Sequence, residues 1–209
     1  MLSVKTNTVK GYKMRDIPYT ILRNEESSKR LAILLPGAGY TVQAPLFHYS
    51  TGIFINKSSD VLHVNYQYKG LSNEEINKAI IYDVNAVLED VLSTQNYETY
   101  YVIAKSLGTI AMRSVLERDD FLNAKAIWLT PLIQRDDVLD AMVRSENKGL
   151  CYIGDKDPCY IEERYTKVLE NKNITSKLIA NVDHSLQYED DAVGSIDVLK
   201  SVMTDIEQF

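Results

Sequence analysis

The sequence predicts an α/β protein, a mostly parallel sheet of about eight strands with helices on both faces, formed by one domain over residues 1–209. Two observations carry this. From residue 31 onward, short runs rich in β-branched and aromatic residues alternate with segments whose apolar residues recur every three or four positions. The short runs are also nearly continuous in apolar residues, as strands covered on both faces are. A chain of 209 residues, 45% hydrophobic and 25% charged, is long enough to bury such a core.

Before residue 31, SVKTNTVKGY and IPYTILRN alternate polar and apolar residues and predict an antiparallel hairpin on one edge of the sheet. Six strands follow: LAILLP (31–36), VLHVNYQY (61–68), YVIAKS (101–106), AIWLT (126–130), LCYIGD (150–155) and KLIANV (177–182). Between the second and third of these, residues 73–92 place Ile76, Ile80, Val84, Val87, Leu88 and Val91 on one face of a long amphipathic helix. Asn73 is its candidate N-cap, with Glu74 and Glu75 favourable in the first turn. Further helical spacing occupies 109–118, 136–145, 161–170 and 195–208, while the Tyr- and Phe-rich stretch around His48 reads as a loop. No linker, repeat or low-complexity tract interrupts the alternation, and no interval is long enough for a cap domain.

A net charge of −6 argues against nucleic acid or an anionic membrane surface as partner, since either would repel the chain. No apolar run approaches the roughly 18 residues of a membrane span, and MLSVKTNTVKGYKMRD lacks the apolar core of a signal peptide. A soluble, cytoplasmic protein is expected. Cys151 and Cys159 have no His or Cys at metal spacing and read as free thiols of a reducing compartment, so no metal is predicted.

The chemistry concentrates in YVIAKSLGTIAMRSVL (101–116), where a buried strand runs into a helix through Ala104-Lys105-Ser106-Leu107-Gly108. A serine on so tight a turn stands clear of the sheet near a helix N-terminus, where backbone N–H groups favour developing negative charge. This segment resembles the nucleophile elbow G-x-S-x-G of the α/β-hydrolase superfamily, with Ala104 in place of the first glycine. LLPGAGY (34–40) resembles the family loop that supplies the second oxyanion donor, with Pro36-Gly37 where His-Gly is usual. It has neither the Lys-Ser/Thr ending of a phosphate loop nor a full GxGxxG, so no nucleotide is predicted.

The resemblance, to a small lidless serine esterase of carboxylesterase or thioesterase type, implies a set of roles. Ser106 becomes the nucleophile, and the N–H groups of Ala38 and Leu107 the oxyanion hole. In Gly154-Asp155-Lys156-Asp157-Pro158 two aspartates compete; the family's acid stands three residues after the glycine, which selects Asp157 and leaves Asp155 to cap the turn or face solvent. His184, in NVDHSLQYED after the last predicted strand, becomes the base, in the family's chain order of Ser, Asp, His. The substrate is then a small ester or thioester, with no cofactor. Tyr40, Phe47, Tyr49, Tyr68, Pro131, Leu132 and Tyr160 follow strands at the end where this fold builds its site, and are the candidate apolar pocket. His48 is a further candidate for that lining, and His63 reads as a hydrogen-bonded core or edge residue. The same triad also serves lyases, peptidases and acyltransferases, and the fold serves non-enzymatic ligand sensors; these alternatives stay open here.

Overall fold

The computed structural model describes residues 2–23 and 28–209; Asn24, the last residue of the second hairpin stretch, and Met1 lie outside the described residues. The opening hairpin forms as expected from β1 (Ser3–Lys10) and β2 (Asp16–Arg23), paired antiparallel. The six later strands are β3 (Arg30–Leu35), β4 (Asp60–Val64), β5 (Thr99–Lys105), β6 (Lys125–Leu129), β7 (Gly149–Gly154) and β8 (Ile174–Ile179). Their order across the sheet is β1-β2-β4-β3-β5-β6-β7-β8, antiparallel through β4 and parallel from β4 onward.

Two strands depart from their expected bounds by three residues or more. β4 stops at Val64 rather than Tyr68. Tyr19 pairs with Val64, so Pro18 stands opposite the next position and has no N–H with which to extend the ladder. β8 begins at Ile174 and ends at Ile179, three residues earlier than KLIANV predicts. As an edge strand it mixes buried and exposed positions, so its polar start looks like loop, and Asn181 already has φ 60.

Among the described residues six α-helices cover the sheet: α1 (Pro45–Asn56), α2 (Asn73–Thr94), α3 (Gly108–Leu116), α4 (Asp136–Arg144), α5 (Glu162–Glu170) and α6 (Ala192–Gln208). The period of two along each strand divides the core. Leu31, Ile33 and Leu35 pack under α2 to α5, whereas Ala32 and Leu34 face α1 and α6. α1 is the element the sequence reading missed. Pro45 opens it at the first helical position, but no side chain caps it and apolar residues fall on all sides. α2 is capped by Ser72 rather than Asn73: Ser72 Oγ accepts from Glu75 N (3.3 Å) while Glu75 Oε2 accepts from Ser72 N (2.9 Å), a capping box. No helix of the described residues is long and apolar enough to cross a membrane. The loops after β3, β5, β7 and β8 all emerge at the C-terminal edge of the parallel strands, the edge at which open α/β sheets build their sites.

Candidate active site

Ser106 sits between β5 and α3 with φ 48, a left-handed conformation that costs a non-glycine residue energy. The surroundings hold it there. Its N–H donates to Leu129 O (3.1 Å), and its carbonyl accepts from Thr109 N (2.9 Å) and Thr109 Oγ1 (2.6 Å). The turn requires glycine two residues on, because a Cβ at Gly108 would lie 2.1 Å from Leu35 O, so α3 packs backbone to backbone on β3. Gly37 approaches from the β3 loop, where a Cβ would lie 3.2 Å from Ser106 Cβ.

The loops after β7 and β8 are joined in the same way. A Cβ at Gly154 would lie 2.0 Å from Val182 O, and Lys156 N donates to that carbonyl at 3.1 Å. The histidine loop is built by Asp183, whose Oδ1 accepts from Ser185 N (2.7 Å) and Gln187 N (3.1 Å). This places His184 Nε2 2.8 Å from Ser106 Oγ and Nδ1 2.8 Å from both carboxylate oxygens of Asp157. Asp157 is buried, and its Oδ1 also accepts from Cys159 N (2.8 Å). A buried carboxylate can only accept, so Nδ1–H donates to Asp157 and the Nε2 lone pair accepts the Ser106 hydroxyl proton. Asp155 takes the structural place expected of it, its Oδ1 accepting from Asn181 N (2.7 Å).

Ala38 and Leu107 line one pocket of about 610 Å³ beside Gly37, together with Val42, Tyr66, Tyr68 and Ile76. Among the described residues neither the Ala38 nor the Leu107 N–H donates a hydrogen bond within the protein, so both are available to a ligand. Tyr66 and Tyr68 stack (centroids 5.4 Å apart), and the Tyr66 hydroxyl donates to Pro36 O, which pins the β3 loop. The lining carries Thr41, Gln43, Asn65 and Gln67 but no charged side chain among the described residues.

Of the residues predicted for the pocket, the structure brings only Tyr68 to it. Because 45–56 is helix rather than loop, Phe47 turns into the core with no exposure, and Tyr49 turns outward to a groove between α1 and α6. His48 is exposed on α1 against Tyr49 and does not reach the pocket. Tyr40 lies on the other side of its loop, lining a separate groove with Leu46, Ser185 and Tyr188. Pro131 is buried, and Leu132 and Tyr160 pack against the core under α2 to α5. Val42, Tyr66 and Ile76 were not foreseen; Ile76 looked like another core position of α2, and Tyr66 lay inside what read as strand. His63, on β4, is half-buried and hydrogen-bonded: its Nε2 lies 2.8 Å from Thr51 Oγ1, and burial pulls it down to about 4.

Cys151 and Cys159 are free and buried. Asp157, Cys159 and His184 each offer one donor atom within 4.8 Å of the others, spacing that could hold a metal ion. The donors do not suit one here. Asp157 and both ring nitrogens of His184 are already engaged with one another and with Ser106. Burial and the neighbouring Asp157 push the Cys159 thiol up to about 11, away from the thiolate a metal needs.

No family model matches the sequence, and no curated protein matches it. Solved structures do. A protein of unknown function from Agrobacterium tumefaciens, described as a putative α/β hydrolase, superposes with TM-score 0.74 at 17% identity, over 98% of this chain and 94% of that one. The Pyrococcus furiosus esterase Pf2001 superposes with TM-score 0.74 at 13% identity, over 99% and 91%. An α/β serine hydrolase without a lid from Xanthomonas campestris superposes with TM-score 0.69 at 15% identity, over 98% and 92%. The chain therefore has the lidless α/β-hydrolase fold along nearly its whole length.

Proposed function

We infer that the protein is a serine hydrolase that cleaves a carboxylic ester or thioester of a small soluble substrate through an acyl-enzyme on Ser106. The observation that carries this is the continuous chain from Asp157 through His184 to Ser106, at 2.8 Å in each link, beside a pocket lined by two backbone N–H donors without internal partners. The esterase and serine hydrolase structures that share the fold support it.

In this mechanism Ser106 Oγ bonds to the acyl carbon as its proton passes to His184 Nε2, and the carbonyl electron pair moves onto oxygen. The N–H groups of Ala38 and Leu107 receive that oxyanion. Asp157 stays ionised, keeps the proton on Nδ1 and stabilises the imidazolium. When the oxyanion collapses, the bond to the alcohol or thiol breaks and the leaving group takes the proton from Nε2. Water then attacks the acyl-serine, its proton passes to Nε2, and collapse releases the carboxylic acid while Ser106 regains its proton. These steps draw on no cofactor. An uncharged pocket lining suits an uncharged substrate near the scissile bond, and two unpaired thiols suit the reducing cytoplasm.

A fluorophosphonate probe followed by peptide mapping tests the reading, alongside a panel of aryl esters and thioesters of increasing acyl length. The expected outcome is single labelling at Ser106, with turnover that disappears in Ser106→Ala while the melting temperature holds. Labelling elsewhere, or none on folded protein, refutes the nucleophile assignment.

A further inference from the structure

We propose that Lys105 is the positioning residue of the site: its side chain gathers three active-site loops onto one cation and so holds the His184 ring in line with Ser106. The inference rests on the serine hydrolase reading and adds to it a group outside the Ser-His-Asp chain.

Along β5, Tyr101 and Ile103 face the α1 and α6 side of the sheet, and the strand period sends Lys105 the same way, beneath the site. Its side chain is 1% exposed. Nζ donates to His184 O at 2.7 Å and to Thr130 Oγ1 at 2.9 Å, and lies 4.7 Å from the centre of the Tyr40 ring. One ammonium thus touches the loop after β3, the end of β6 and the histidine loop, while its own residue is covalently bonded to the nucleophile. Thr130 is held at φ 41, a rare conformation for a β-branched residue, at the point where this bond forms.

A lysine in a dry setting is costly unless its donors are satisfied, and no carboxylate among the described residues forms an ion pair with this one. The groups that face it are Tyr40 from the β3 loop, Thr130 from the loop after β6, Asp157 and Cys159 from the β7 loop, and Asp183 and His184 from the β8 loop. Burial lowers Lys105 to about 8, against the opposing pull of Asp157 and Asp183. At neutral pH it is therefore charged, and its bond to His184 O is charge-assisted, about twice as strong as the bond a neutral amine would make.

The test compares wild type, Lys105→Met and Lys105→Arg by the second-order rate of fluorophosphonate labelling at Ser106, and by kcat and KM on an aryl ester. Labelling of wild type at Ser106 reports on the hydrolase reading; only the differences among variants report on Lys105. Lys105→Met should label and turn over on the order of 10 to 100 times more slowly, as a misaligned base does, with KM within about twofold. Lys105→Arg keeps the charge and the donors and should recover the rate to within about threefold of wild type. A folded Lys105→Met with near wild-type rates, or a folded Lys105→Arg as slow as Lys105→Met, overturns the proposal. Should neither variant fold, the wild-type profile decides: a several-fold decline in kcat above about pH 8 at constant melting temperature supports the role, and a profile flat to pH 10 overturns it.

Discussion

Replacing Asp157 by Asn tests the direction of every proton in the site. The carboxylate is buried, with Oδ1 accepting from Cys159 N and both oxygens 2.8 Å from His184 Nδ1. An asparagine of the same shape has one acceptor. The fixed Cys159 N–H claims the amide oxygen, since a buried donor left without a partner costs about 1 to 3 kcal/mol. The amide NH2 then stands where Oδ2 was, facing Nδ1, and the favoured ring tautomer carries its proton on Nε2. That proton points at Ser106 Oγ, so the base cannot take the serine proton. The expected loss in kcat is up to about 10⁴-fold, roughly 5 kcal/mol in the barrier, at nearly unchanged KM. Asp155→Asn is the internal control. Asp155 serves Asn181 N through one oxygen, an acceptor that asparagine retains, so its turnover should stay within about threefold. Stopped-time hydrolysis of an aryl ester by both variants, with circular dichroism to confirm folding, measures the difference. Equal losses, or the larger loss at Asp155, would refute the assignment of the acid and the tautomer argument with it.

Two further outcomes follow from packing and burial. Gly108→Ala should destabilise the fold by about 3 kcal/mol, because its Cβ would stand 2.1 Å from Leu35 O and α3 must shift away from β3. A melting-temperature drop of about 6–12 °C with slower labelling of Ser106 is expected; an unchanged melting temperature would show that the elbow tolerates the side chain. His63, lowered by burial to about 4 from the roughly 6.5 of the unfolded chain, stays neutral in the fold while the unfolded chain takes up a proton first. It therefore costs stability as pH falls from about 6.5 to about 4, by up to about 3 kcal/mol. His63→Gln should lose less melting temperature between pH 7 and pH 4.5 than wild type, and an equal loss would mean that His63 charges freely in the folded protein.

Fold class and the residues of the candidate site were legible in the sequence for a local reason. Buried parallel strands are written as continuous apolar runs, and the elbow, the Gly37 turn, the Gly154 turn and the His184 loop each need particular small or polar residues within a few positions of one another. At Gly108 and Gly154 a Cβ would meet backbone at 2.1 and 2.0 Å, so the constraint there is strong enough to show in the letters. Where no such local constraint acts, α1 was not legible at all and β8 only to within three residues of its bounds. α1 has no side-chain cap and no single apolar stripe, and β8 alternates too weakly, so only packing against the sheet makes them what they are. The pocket was the least legible part. Tyr66, Tyr68, Val42 and Ile76 come from three elements, and which of many aromatic residues line it depends on which way α1 turns them; Phe47 and Tyr49 differ by two positions and end up in the core and in solvent. Lys105 stood in plain view before the serine. That its ammonium is buried beneath the site and bonded to the histidine loop depends on residues 25 and 79 positions away along the chain, a distance over which tertiary packing, and no local rule, places one group beside another.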